Sequence, residues 1–345
     1  MIRFYKPTVK RRDMESVLQT MVDEQIGPGE KNQAFMQAFA ETTGCQTASA
    51  FRTYPDCIRA AFRIMDVCAE TVVAISPLAP HIYKTVSEEF GCKLVMVDVD
   101  KEHGLVSEQA VSESGADLLV LYDSCSCLPI RYDVETSSAV KCDYGNVRVI
   151  EDVTESVGGR YGELCKAGDW GKLVICALEE KDIISCGGGA ALGAKNDMIY
   201  KLRSNRPSDY VKLADINAAL GSVQLANLTE NSEKNRKICA GYRDALAKTA
   251  HKGFGLGLRD FESSGSVFPV FLNTKPEDIV KFANKHDVPV KLTFENSVCS
   301  DYEGDMFSQF PVAAAYFYRT VSFPVYPFLK NNEIDEISRI ISHLP

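Results

Sequence analysis

Between residues 45 and 195, six short β-rich runs alternate with segments of helical spacing: 47–51, 71–76, 93–99, 117–122, 147–151 and 173–178. In the segment after the first run, apolar residues recur at Ile58, Ala61, Phe62 and Met65, the spacing of one helix face. Strands that read as continuous apolar runs, each followed by a helix, predict an α/β fold with a mostly parallel sheet covered on both faces.

The flanks read differently. Upstream, 12–24 and 31–42 have the pattern of two amphipathic helices divided by the breaker Gly27-Pro28-Gly29. Downstream, a long helical stretch spans 213–247. Beyond Gly253 the pattern restarts with a strand at 267–272, a helix at 276–286, a strand at 288–293, and helices at 311–320 and 331–343. A chain of 345 residues is long enough for about two domains at roughly 150 residues each. The expected division is a large domain over 1–230 and a small C-terminal α+β domain over 231–345.

Composition narrows the partners. Lys and Arg number 38 against 47 Asp and Glu, a formal charge of −9, and no basic stripe offers itself to a nucleic-acid backbone. No stretch approaches the roughly 18 apolar residues of a membrane span, and the start Met1-Ile2-Arg3-Phe4-Tyr5-Lys6-Pro7 lacks the pattern of a secretion signal. Twelve cysteines include one C-x-C, Cys125 and Cys127, but no C-x-x-C, so paired zinc spacing is missing. They read as reduced thiols of a cytoplasmic protein, mostly filling small core positions.

Two positions carry chemistry. The run Val147-Arg148-Val149-Ile150-Glu151-Asp152 is an apolar strand ending in two carboxylates, and ligands of open α/β sheets lie beyond the carboxyl ends of strands. Asp152 is either such a ligand group or a cap on the next turn. Lys181 follows the next strong strand and precedes Gly187-Gly188-Gly189, a run suited to a close ligand approach or a tight turn. Together they suit pyridoxal phosphate (PLP): a lysine amine forms a Schiff base with its aldehyde, and an acid keeps its ring nitrogen protonated.

With these residues in place, the chain resembles the DegT/DnrJ/EryC1/StrS sugar aminotransferases, fold-type I PLP enzymes, over nearly its whole length. Glu151-Asp152-Val153-Thr154-Glu155-Ser156-Val157-Gly158-Gly159 is similar to the family's E-D-A-A-Q-A-H-G-A. Ile175 to Lys181, with Gly188-Gly189, is similar to F-S-F-x-x-x-K and its glycine pair. Asn217-Ala218-Ala219-Leu220-Gly221-Ser222-Val223-Gln224-Leu225 resembles Q-A-A-L-G-x-x-Q-L, and Phe310-Pro311-Val312-Ala313 and Phe323-Pro324-Val325-Tyr326-Pro327 resemble F-P-x-A and L-P-x-Y-P.

The resemblance implies roles. Lys181 is the Schiff-base lysine and proton shuttle, Asp152 the partner of the pyridine nitrogen, Glu155 the neighbour of the ring hydroxyl, and His81 the ring stacked on the cofactor. It implies a homodimer that moves an amino group from a donor such as glutamate to a nucleotide-linked keto sugar, for polysaccharide biosynthesis.

The phosphate subsite departs from the family pattern. Its S-G-T loop aligns with Thr53-Tyr54-Pro55, followed by the anionic Asp56; a serine becomes Cys176, an asparagine Tyr210 and an arginine Lys212. Proline brings no N–H, and a carboxylate repels a phosphate. Two readings follow: the phosphate is held by other groups, with Arg52, Tyr54 and Tyr210 as candidates, or the protein is a non-catalytic relative that keeps the fold and binds PLP or a sugar nucleotide without turnover.

Overall fold

All six apolar runs become strands of one seven-stranded sheet. The computed structural model describes residues 2–133, 135, 138–205, 207–254 and 261–345. Helices α1 (Arg11–Val22) and α2 (Glu30–Thr43) precede β1 (Thr47–Phe51), and α3 (Tyr54–Ile64), β2 (Val72–Ile75), α4 (Ile82–Phe90), β3 (Lys93–Met96), α5 (Glu108–Glu113) and β4 (Leu118–Tyr122) follow. An antiparallel pair, β5 (Ile130–Asp133) and β6 (Ser138–Lys141), leads to β7 (Arg148–Asp152). A second short pair, β8 (Arg160–Tyr161) and β9 (Cys165–Lys166), leads to β10 (Leu173–Ala177) and β11 (Ala190–Ala194).

The sheet order is β1-β11-β10-β7-β4-β2-β3. From β10 to β3 every pairing is parallel, whereas β11 runs antiparallel to both β1 and β10. Alternation within β10 assigns the faces: Leu173 and Ile175 pack with α3 residues such as Ile58 and Phe62, and Val174 and Cys176 pack with Phe35 and Phe39 of α2. Strand β11 has no counterpart in the sequence reading. Its Ala-Ala-Leu-Gly-Ala carries no β-branched residue, and it is a strand because neighbours pair with it on both edges. The glycine run before it makes the tight turn: Gly189 has φ of 112°, and a Cβ there would meet the Phe51 carbonyl oxygen at 2.7 Å.

The helical stretch at 213–247 is two helices, not one. After α6 (Met198–Ser204), α7 (Asp215–Ala226) stops at Asn227, with φ −96° and ψ 1°, and α8 (Leu228–Leu246) starts there. Asn227 Nδ2 donates to the Val223 carbonyl at 2.9 Å, a local bond of the kind that competes with helix continuation. Helix α7 lies against α2 because of Gly221, where a Cβ would sit 2.4 Å from Cys186 Sγ and 2.8 Å from the Phe35 ring. Asp215 fixes the same contact by accepting from Gly29 N (2.7 Å), Lys31 N (3.1 Å) and Asn32 N (2.9 Å), which satisfies the free amides at the start of α2.

The remaining chain adds β12 (Lys252–Gly253), β13 (Phe261–Glu262), β14 (Phe268–Phe271), α9 (Pro276–Asn284), β15 (Lys291–Leu292), α10 (Met306–Gln309), α11 (Pro311–Arg319), β16 (Thr320–Phe323) and α12 (Asn331–Ile341). A four-stranded antiparallel sheet, β12-β14-β16-β15, packs with α8, α9 and α12 around Tyr242, Val270, Ile279, Val321 and Ile337. The strand expected at 288–293 shrinks to two residues. Pro289 has no amide for a ladder, and Val288 N instead closes the end of α9 on the Ala283 carbonyl. All twelve cysteines are unpaired, ten of them buried, in keeping with core filling. Among the described residues no helix is long and apolar enough to cross a membrane, and no cluster of His, Cys, Asp or Glu has the arrangement of a metal site.

Candidate active site

Asp152 ends β7 in the middle of the sheet and is wholly buried. Its Oδ1 accepts from the backbone amide of Thr154 (3.0 Å) and from the Thr154 hydroxyl (2.5 Å). Its Oδ2 accepts from the hydroxyls of Tyr83, at 2.5 Å, and Tyr54. A carboxylate offers about four lone-pair sites, so protein donors take all of them. Every one of these donors is uncharged. Burial raises the Asp152 pKa, and the Thr154 and tyrosine bonds oppose the rise. Thr154 Oγ1 also accepts the Ala177 amide at 2.9 Å, which ties the end of β10 to the same carboxylate.

One turn further on, Glu155 is held just as firmly. Its carboxylate accepts the Cys125 amide at 2.5 Å, and the buried Tyr122 lies close enough to interact with it. Cys125 (φ 57°) and Ser126 (φ 62°) both lie in the left-handed region, an uncommon conformation for non-glycine residues, and it is this turn after β4 that aims the amide at Glu155. The Glu155 carbonyl oxygen accepts hydroxyls from Ser126 (2.7 Å), Ser264 (2.5 Å) and Ser266 (2.8 Å). Burial raises the Glu155 pKa, while the Cys125 amide and the charge of Lys181 lower it.

Lys181 sits on the exposed turn after β10. It opens on a cavity of about 190 Å³ whose wall also holds Thr154, Glu155, Asp182, Lys291 of β15 and Asn296 of the turn after it. Asp152 is not part of that wall. Burial pushes the Asp182 carboxyl up to about 7 against the opposing pull of Lys181. Larger surface depressions exist, one near Glu108 and Tyr144 and one near Lys275 and Phe307, and neither contains any of these groups.

The residues expected around a phosphate are dispersed. Thr53 caps α3: its Oγ1 accepts the Asp56 amide at 3.2 Å and donates to the Asp56 carboxylate at 2.6 Å, while Asp56 pairs with Arg59 at 2.9 Å. The first turn of that helix is thus occupied by the chain's own carboxylate. Arg52 Nε donates to the Lys212 carbonyl at 3.0 Å. Tyr210 is 90% exposed. Cys176 faces the α2 core and directs its thiol at the Ala177 carbonyl, 3.4 Å away. His81 stands before α4, 3.2 Å from Asp301, which Lys84 also binds at 2.7 Å, and it does not line the Lys181 cavity. Tyr54 turns inward to Asp152.

Three contributors escaped the sequence reading: Tyr83, Thr154 and Tyr122. Thr154 stands between two candidates in Asp152-Val153-Thr154-Glu155, and Tyr83 two residues beyond His81, so proximity in sequence was the available signal.

A mostly parallel seven-stranded sheet, a smaller α+β unit against it, a buried strand-end aspartate and a lysine on the next turn define the class: the fold of PLP-dependent sugar aminotransferases. The chain belongs to the DegT/DnrJ/EryC1/StrS aminotransferase family, whose profile matches residues 7–342. Enzymes of this family depend on PLP. The UDP-4-amino-4,6-dideoxy-N-acetyl-β-L-altrosamine transaminase of Campylobacter jejuni is 23% identical over 298 residues, covering 79% of this chain and 77% of that protein. Among solved structures, Spr1654 of Streptococcus pneumoniae in its PMP form superposes with a TM-score of 0.87 at 15% identity, covering 99% of this chain and 97% of the other. Helicobacter pylori PseC, an aminotransferase involved in pseudoaminic acid biosynthesis, gives 0.82 at 15% identity, covering 98% and 97%.

The residues present fit two ends of PLP. Asp152 is a buried anion bonded by neutral donors alone, the setting in which a protonated ring nitrogen supplies the missing positive charge. The Lys181 amine beside Glu155 suits the aldehyde end. The start of α3, with Pro55 and Asp56, is not a phosphate cradle of the usual form.

Proposed function

We propose that the protein transfers an amino group from an amino acid, glutamate or a relative of it, to the keto group of a nucleotide-linked sugar. The juxtaposition that carries this reading is Lys181 and Glu155 on one cavity wall with Thr154, which bridges to the buried Asp152. PLP, when bound, supplies an aldehyde that takes up amines as Schiff bases and a ring that withdraws electrons.

The chain's own groups then divide the work. Lys181 Nζ would be the amine for that aldehyde and the group that accepts and returns a proton at the reacting carbon. Asp152 would keep the ring nitrogen protonated. Glu155, fixed by the Cys125 amide and close enough to Lys181 to feel its charge, would orient the ring hydroxyl. Lys291 is a second cation on the cavity wall and suits the carboxylate of the donor or the phosphates of a sugar nucleotide. The UDP-sugar named in the Campylobacter relative supports the nucleotide linkage. Exposed Met14, Leu18, Met21 and Val22 on α1 support assembly as a homodimer.

Incubation of the purified protein with PLP, reduction by borohydride and peptide mapping test this directly. Label on Lys181, lost in Lys181→Ala, together with amino transfer from glutamate to a UDP-keto sugar, is the expected result. Absence of label refutes it. Label without transfer to any keto sugar favours the non-catalytic reading, which the Thr53–Asp56 cap at the expected phosphate position specifically supports.

A further inference from the structure

Tyr54 is the first residue of α3, preceded by the extended Thr53 (φ −134°, ψ 150°), and stands at the place in the sequence where a phosphate loop was expected. Its hydroxyl goes instead to Asp152 Oδ2, which also takes Tyr83. The two rings meet edge to face, centroids 6.0 Å apart at 89°. With Thr154 supplying both donors to Oδ1, no acceptor site of the carboxylate remains for a ring N–H. The cavity beside Lys181 accordingly reaches Thr154 but not Asp152.

The two tyrosines are not equivalent. Tyr83 lies inside α4 and is wholly buried among Ile58, Phe62, Val86 and Val120. Removing it from Asp152 would empty a packed core position. Tyr54 is only partly buried and occupies a helix end, where a rotation about its side chain disturbs no interior turn.

We propose that Tyr54 is a competitor built into the site: its hydroxyl holds Asp152 until the cofactor ring takes that place, whereas Tyr83 stays on the carboxylate and positions it throughout. The inference rests on the cofactor reading above. Tyr54 thereby sets how tightly the cofactor ring is held, and an Asp152 without a ring nitrogen is never left short of a donor.

Pyridoxamine phosphate tests this without the Lys181 condensation. Calorimetric titration of the full-length protein should show Tyr54→Phe binding it about tenfold more tightly than the wild type, the size expected for one lost competing hydrogen bond. Tyr83→Phe should bind it no more tightly than the wild type. In the wild type, saturation should free one tyrosine to ionise in an alkaline absorbance titration, and Tyr54→Phe should lack that increment. Equal or weaker binding by Tyr54→Phe, or an unchanged tyrosine titration, overturns the competitor role and leaves the aminotransferase reading standing. If neither the wild type nor Tyr54→Phe binds, both fall.

Discussion

Tyr83 donates its hydroxyl to Asp152 Oδ2 at 2.5 Å, joining a buried α4 side chain to the end of β7, the central strand of the sheet. The carboxylate there has no lysine or arginine among its bonded partners, so each neutral donor matters more than it would beside a cation. Tyr83→Phe should lower the unfolding free energy of the cofactor-free protein by about 2 kcal/mol, the range for a hydrogen bond to a charged group. Urea denaturation checks it; an unchanged midpoint would show that Asp152 finds another donor.

Thr154 is more demanding because its hydroxyl both donates to Asp152 and accepts from Ala177 N. Thr154→Val keeps the shape but strands two buried partners and should cost about 2 to 4 kcal/mol, whereas Thr154→Ser should stay within about 1 kcal/mol of the wild type. Similar losses for both variants would point to packing of the methyl group instead.

Asp182 gives a pH dependence of definite sign. Its carboxyl titrates near 7 in the folded protein against an ordinary value of 3.8, with burial the chief cause. The folded state therefore binds this proton more tightly than the unfolded chain. Its stabilising contribution is complete below about pH 4 and is lost as pH rises toward about 7. Asp182→Asn should flatten that decline in a series of thermal melts from pH 4 to 8. Parallel curves for variant and wild type would rule the assignment out.

Asp215 serves three amides at the start of α2, and Asp215→Ala should destabilise the fold by about 2 to 3 kcal/mol, beyond an ordinary capping loss because the amides lie against α7 rather than in water. Hydrogen exchange should quicken first at Gly29, Lys31 and Asn32. Slowed or unaltered exchange there would contradict the capping role.

The apolar runs 71–76, 93–99, 117–122, 147–151 and 173–178 dictate a helix-covered parallel sheet, because strands apolar on both faces need cover on both, and 47–51 joins it at the edge through antiparallel β11. The sequence also placed Asp152 and Lys181, since strand ends and the turns after them are local in the chain. What surrounds them is set by packing between segments distant in the chain. Strand β11 exists through pairing on both edges, and Asn227 breaks a helix whose pattern continues past it. Tyr54 and Asp152 are 98 residues apart in sequence, and Tyr83 and Asp152 are 69 apart. Nothing in local spacing announces such bonds: a buried carboxylate must find donors, and which side chains supply them depends on how α3 and α4 pack across the sheet.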